Sequence, residues 1–216
     1  MRHRPHVFVP GDWPADLIPI PPSAAAHLRK SLRMQPGSAV SYTDGSGNVG
    51  EGLWTGDAIE RGSETVVPAP KPSVTVAVAP PKSKDRQRFI VEKLQELGVA
   101  ELLWMSTQHG EGRPPSALRA EAWAISALEQ SRGAHLIAVG EASVSDVVER
   151  GAVACAASGA LSIADCRGPD EVTVAIGPEG GFAPDELAGF ERVASLGGNV
   201  LRTETAAIVA AARLMG

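Results

Sequence analysis

The chain has only two cysteines, Cys155 and Cys166, among its 216 residues. Both lie in or beside apolar segments, so they read as buried free thiols of a reducing cytoplasm, not as a disulfide framework. No Cys/His cluster has metal-ligand spacing, and no metal is expected. No stretch approaches the roughly 20 apolar residues that span a bilayer, so no membrane partner is expected either. The basic N-terminus, Met1 to His6, has no apolar segment behind it, and no secretory signal is expected. There is no internal repeat and no low-complexity tail.

What is present is ordinary globular composition, 44% hydrophobic with mean hydropathy near zero. The net charge is −5, unhelpful for a nucleic-acid partner as a whole. Its distribution is uneven. Residues 1–72 hold 7 Lys/Arg and 7 Asp/Glu, whereas residues 73–216 hold 13 and 18 and carry the whole excess. The basic residues cluster as Arg2 and Arg4, as Arg29, Lys30 and Arg33, and as Lys82, Lys84, Arg86 and Arg88. Phosphate contacts depend on such local patches.

The first seventy residues read as β structure with many turns. Val7 to Val9 predicts a short strand, and Pro14, Pro19, Pro21 and Pro22 then exclude regular helix or central strand. Ser23 is placed to cap a helix over 24–34, with Leu28 and Leu32 on one face. Ala39 to Thr43 and Val49 to Thr55 read as a hairpin around Asp44-Gly45-Ser46-Gly47. The proline-rich residues 66–73 read as a stiff connector.

Beyond it, strands and helices alternate, which predicts a mostly parallel sheet covered by helices. Strands are expected at Val74 to Ala79, Ala100 to Met105, Leu136 to Val139, Ala152 to Ala157 and Val172 to Ile176, with a stub at Val200-Leu201. Helices are expected at Asp85 to Leu97 (Phe89, Ile90, Leu94 and Leu97 facing inward), 115–132, Ser143 to Arg150, Pro184 to Leu196 and Thr205 to Met215. The last is alanine-rich, suited to close packing against a partner subunit or within the chain.

Two segments carry the chemistry. Ile176-Gly177-Pro178-Glu179-Gly180-Gly181-Phe182 joins an apolar strand to a helix, where open α/β sheets bind ligands. Its glycines form neither a dinucleotide fingerprint nor a P-loop, which argues against oxidoreductases and nucleotide hydrolases. Leu201-Arg202-Thr203-Glu204-Thr205-Ala206 leads into the last helix, where Thr203 or Thr205 can cap and Glu204 complements the dipole. Taken alone, each is an ordinary turn or cap.

Together these segments resemble the cofactor loops of the SPOUT methyltransferases, and within them the RsmE family of 16S ribosomal RNA (uracil-N3)-methyltransferases. Three further matches extend the resemblance over nearly the whole chain: Lys82 to Val99, ending Glu-Leu-Gly-Val; Ala127 to Arg132 (ALEQSR); and His27 to Arg33 (HLRKSLR). It implies a PUA-like β-barrel RNA-binding domain over 1–70 and a trefoil-knotted α/β methyltransferase domain over 71–216. It implies S-adenosylmethionine bound by Ile176, Gly177, Pro178, Glu179, Gly180, Gly181, Leu196, Leu201, Thr203, Glu204 and Ala206. Arg132 and Glu129 become candidate catalytic residues, and Arg2, Arg4, Arg29, Lys30, Arg33, Lys82, Lys84 and Arg86 candidate RNA contacts. The implied setting is a cytoplasmic homodimer acting on 16S rRNA, within the 30S subunit. Two stretches depart from the family pattern, Ser106 to Arg113 and Pro5 to Phe8, and both bear on the substrate more than on the cofactor.

The implied chemistry needs N3 of uridine to lose its proton. Arg132 can stabilise the resulting anion, and Glu129, Glu204 or water can accept the proton. Two other readings stay open: a SPOUT enzyme acting on another RNA or on a ribose 2′-hydroxyl, and a non-catalytic RNA-binding assembly factor.

Overall fold

Hairpin chemistry organises the first sheet. In the computed structural model, which describes residues 4–216, strands β1 (His6–Phe8), β2 (Leu17–Pro19), β3 (Ser38–Thr43), β4 (Asn48–Trp54) and β5 (Ala58–Val66) lie in the order β1-β3-β4-β5-β2. The β3–β4 turn is closed by Asp44, whose Oδ1 accepts the N–H groups of Ser46 (2.7 Å) and Asn48 (3.1 Å). Proline-terminated β2 sits at a sheet edge, where a missing donor costs least. Val7, Ile18, Leu28, Val40, Tyr42, Trp54 and Ile59 form the core of this unit.

The helix expected over 24–34 is shorter and differently wound. Pro22–Ala26 forms α1 with Pro21 at its N-cap and Ser23 inside its first turn, so Ser23 does not cap it; His27–Ser31 then winds as a π-helical turn. Its five-residue hydrogen bond, Leu32 N–H to His27 C=O (3.1 Å), removes the four-residue stacking of an α-helix. Leu28 is therefore buried while Leu32 is 45% exposed.

The residues up to Ala69 form this compact unit together with Leu128–Leu136; Pro70–Ala127 and Ile137–Gly216 form a second. Within the first unit, Thr43 Oγ1 and the Gly47 N–H both donate to Ala134 C=O (3.2 and 2.9 Å).

The second unit is built on seven strands, all paired in parallel: β6 (Ser73–Val78), β7 (Glu101–Ser106), β8 (Ala138–Ser143), β9 (Val153–Cys155), β10 (Leu161–Ser162), β11 (Glu171–Ile176) and β12 (Arg192–Ser195), in the order β10-β12-β9-β11-β6-β7-β8. Central β6 and β11 carry nearly continuous apolar runs, as strands covered on both faces must. The helices are α2 (Lys84–Leu97), α3 (Ala117–Ser131), α4 (Val144–Glu149), α5 (Pro184–Ala188) and α6 (Thr203–Met215). Ser143 closes a capping box with Asp146 at the start of α4. Gly98, at φ +81°, ends α2.

Three expectations change here. α2 buries Gln87, Ile90, Val91, Leu94 and Gln95, and Phe89 is 44% exposed. The helix expected over Pro184 to Leu196 stops at Ala188, and Arg192–Ser195 is strand β12. Phe190 turns into the core beside Val147 and Ala154, and β12 then pairs with both β9 and β10, so tertiary pairing overrides local helix propensity. Val200-Leu201 is not a strand; Val200 is 89% exposed. The alanines of α6 (206, 207, 210 and 211) are buried within the chain, so this face packs internally. Among the described residues, no helix is long and apolar enough to cross a membrane.

Candidate active site

Strands β9, β11 and β12 are neighbours, with Cys155 opposite both Ile176 and Ala194, so their carboxyl ends finish side by side. The segments that follow them, with the first turn of α6, wall a cavity of about 420 Å³. Small-molecule sites span roughly 300–1,000 Å³. Of the residues expected from sequence to hold a cofactor, Ile176, Gly177, Pro178, Glu179, Gly181, Leu196, Leu201, Thr203 and Ala206 line it. Gly180 and Glu204 do not. The loop is held as a turn by the Gly181 N–H donating to Pro178 C=O (2.9 Å), with Gly181 at φ +75°, a conformation glycine adopts without strain. Thr203 Oγ1 donates to Gly177 C=O (3.4 Å) and ties the loop to α6.

Sequence reasoning missed part of this wall: Cys155 to Ser158, Phe182, Leu187, Gly197, Asn199 and Val200. Only the strand order brings the end of β9 beside a loop twenty residues further on. Burial pushes the Cys155 thiol up to about 12, so at neutral pH it is protonated wall material and not a nucleophile.

A second cavity, of about 770 Å³, adjoins the first and shares Pro178, Glu179 and Thr203 with it. Its remaining walls come from the ends of β6 and β7: Ala79 to Ser83, Gln108, His109, Glu111 and Gly112, with Arg86 of α2 and Gly180. The chemistry here is charged. Lys82 pairs with Glu111. Arg86 Nη1 contacts Glu179 Oε1 at 2.6 Å, and its Nε lies 3.5 Å from Glu204 Oε1. Glu204 is buried in the first turn of α6, favourable with the helix dipole, and its Oε2 has no hydrogen-bond partner among the described residues. It lines neither cavity and acts on them through Arg86.

Two polar side chains, buried Gln87 and half-buried Glu186, fix these loops. Gln87 Nε2 donates to Pro81 C=O (2.7 Å) and Arg113 C=O (2.8 Å), joining the segments after β6 and β7. Glu186 accepts the N–H groups of Gln108 (2.7 Å) and Ala183 (2.9 Å). A Cβ on Gly112 would lie 1.9 Å from Pro80 O, so only glycine fits.

The other sequence candidates fall as follows. In the first unit, Arg4 pairs with Glu51, and Arg29 donates to Gly56 C=O (2.7 Å) with its guanidinium 6.0 Å from the Trp54 ring centre. Lys30 and Arg33 are exposed, and among the described residues neither has an ion pair; the same holds for Lys84 in the second unit. Arg2 lies outside the described residues. Glu129 and Arg132 do not pair with each other. Glu129 Oε1 accepts the Phe8 N–H (3.0 Å), and burial raises its carboxyl above the ordinary value. Arg132 lies just past α3 at φ +56° and donates from Nη2 to Arg4 C=O (3.0 Å). Among the described residues, no group of three or more His, Cys, Asp or Glu side chains is placed to hold a metal ion.

The model of the RNA methyltransferase domain family matches residues 68–215. A Mycobacterium bovis protein named ribosomal RNA small subunit methyltransferase E is 31% identical over 214 residues, covering 85% of this chain and 80% of its own length. The chain belongs to the ribosomal RNA small subunit methyltransferase E family. A solved structure described as a probable rRNA-methyltransferase, from Porphyromonas gingivalis, superposes on this family member with a TM-score of 0.83, at 30% identity, covering 96% of this chain and 95% of that one. The methyltransferase E of Neisseria gonorrhoeae, solved bound to S-adenosyl methionine, shares the fold with a TM-score of 0.83 at 23% identity, covering 97% and 96%. The match runs through both units, so the charged second cavity lies within the family fold, not in an appended segment.

Proposed function

We propose that this protein transfers a methyl group from S-adenosylmethionine to N3 of a uridine in the 16S ribosomal RNA of the small subunit. The observation that carries the reading is the apolar cavity at the ends of β9, β11 and β12, walled by both loops that resemble the family's cofactor segments. The residues fit that ligand. The volume is in range, the side chains are mostly apolar, and the glycine turns let backbone groups approach closely. Ile176, Gly177, Gly181, Leu196, Leu201, Thr203 and Ala206 would hold it, with Pro178, Glu179 and Gly180 shaping the loop and Glu204 bracing it from behind. When bound, S-adenosylmethionine supplies a sulfonium methyl group that accepts an electron pair and leaves its own C–S pair on sulfur.

The chain's own task is to orient the target base and to favour its deprotonated form. Orientation of this kind contributes about 7–11 kcal/mol. Arg132 stabilises the imide anion, and Glu129 positions the end of α3 through the Phe8 N–H. Lys30, Arg33 and Lys84, without ion pairs among the described residues, contact phosphates together with Arg29. The first unit serves as a PUA-like RNA-binding module, the second as a trefoil-knotted domain, and the protein works as a cytoplasmic homodimer on the assembled 30S subunit.

The test is calorimetric titration with S-adenosylmethionine, followed by mapping of methylated uridines in 16S rRNA from cells with and without the gene. Saturable binding and one gene-dependent N3-methyluridine are expected; a folded protein that binds nothing, with unchanged rRNA, overturns the reading. Arg132→Ala should lower single-turnover methyl transfer about 100-fold and cofactor affinity less than threefold. Equal losses in both would remove Arg132 from the reaction.

A further inference from the structure

The charged cavity is lined by a histidine whose geometry suits proton removal. His109 lines it, and its ring lies over Gly180, where a Cβ would sit 3.6 Å from His109 Cβ. His109 Nδ1 is 3.3 Å from Gly181 C=O. A carbonyl oxygen has no proton to give, so this contact places the imidazole hydrogen on Nδ1. In the neutral imidazole the other nitrogen, Nε2, then carries the free lone pair, and it has no protein partner among the described residues.

The remaining groups around this cavity are less suited. Lys82 and Arg86 are donors only. Glu111 and Glu179 are engaged by those two cations. Glu204 lines neither cavity. His109 is also firmly placed: the preceding Gln108 N–H is held by Glu186, the Gly110 N–H donates to Thr107 C=O (3.1 Å), and Gly112 is wedged against Pro80 O.

We propose that His109 is the proton acceptor for the target base, which enters the charged cavity while the cofactor occupies the apolar one, the two meeting where they share Pro178, Glu179 and Thr203. The proposal rests on the methyltransferase reading and names the base within it. The N3–H bond of the uridine breaks, its electron pair stays on N3, and the proton passes to His109 Nε2. The pair left on N3 is the nucleophile for the methyl carbon. The imidazolium returns its proton to water before the next turnover. Lys82 and Arg86, beside the same space, favour the anionic imide over the neutral one.

The experiment compares wild type, His109→Gln and His109→Ala on 30S subunits from cells lacking the gene, with calorimetric cofactor binding measured in parallel. The expected result is a loss of about 100-fold or more in single-turnover rate for both variants, with cofactor affinity changed less than about twofold. A second readout uses subunits containing 5-fluorouridine, whose imide is more acidic. The deficit of both variants should shrink at least tenfold on that substrate, which a purely structural role of His109 would not produce. A rate within twofold of wild type, a matching loss of cofactor affinity, or an unchanged deficit with 5-fluorouridine overturns the proposal alone. A wild type that binds no cofactor and transfers no methyl group overturns the methyltransferase reading, and the proposal with it.

Discussion

The two cavities of the second unit share a wall at Pro178, Glu179 and Thr203 yet are made of different material. The smaller is lined by glycine, alanine and aliphatic side chains from turns that follow three adjacent strands. The larger is lined by lysine, histidine and glutamate from the segments after β6, β7 and β11 and by Arg86 of α2. The first recognises by shape and backbone, the second by charge. The difference explains how a chain of net charge −5 can present one polar, cation-bearing site: Lys82 and Arg86 are held at the cavity by carboxylates that a phosphate can displace.

The sharpest way to separate the two is to fill one. Leu201→Trp places an indole in the apolar cavity. Calorimetry should show cofactor affinity lowered by about 100-fold or more, roughly 2.8 kcal/mol, with the thermal midpoint nearly unchanged; unaltered affinity would mean the ligand sits elsewhere. Gly112→Val attacks the other side, because its Cβ would collide with Pro80 O. It should cost about 1–3 kcal/mol of stability and lower methyl transfer while sparing cofactor affinity. Loss of cofactor binding with retained fold would show that the cavities are not separable.

Arg86→Ala tests the wall itself. It strands the buried Glu204 carboxylate, but Arg86 is about a third exposed, so the cost should be about 1–2 kcal/mol. Adding Glu204→Gln should recover most of it in urea melts; no recovery would mean that charge is not what Arg86 supplies.

The smallest effect should come from outside both cavities. His6 is buried, with Nε2 3.1 Å from Gly133 C=O, and burial lowers its pKa, assisted by the nearby Arg132 charge and opposed by the Gly133 hydrogen bond. The unfolded chain therefore takes up this proton first. Stability from His6 is complete above the ordinary histidine value and falls as pH drops through it. Urea midpoints at pH 7.5 and 5.5 should differ less in His6→Gln than in wild type, with cofactor affinity at pH 7.5 the same in both. A steeper pH dependence in the variant would contradict the direction.

Much of the apolar cavity was legible in the sequence because its main walls are two contiguous segments, each recognisable as a strand-to-helix turn. The charged cavity was not, since Lys82, His109 and Glu179 come from three loops and meet only because β6, β7 and β11 share one sheet. His109 in particular lay in a stretch notable only for departing from the family pattern. The β12 error has the same origin: residues 192–195 carry no strong local preference, and the open position between β9 and β10 decides their state.

What the sequence determined by itself was therefore local. Proline and glycine placed the turns, apolar runs marked the buried strands β6 and β11, and the hairpin turn at Asp44 to Gly47 set the pairing of β3 with β4. What the tertiary structure alone decided was adjacency: which strand ends finish together, which carboxylate meets Arg86, and which histidine faces the second cavity. Propensity acts over a few residues along the chain. The strand order is fixed by burial summed over the whole sheet, and no short window of sequence contains that sum.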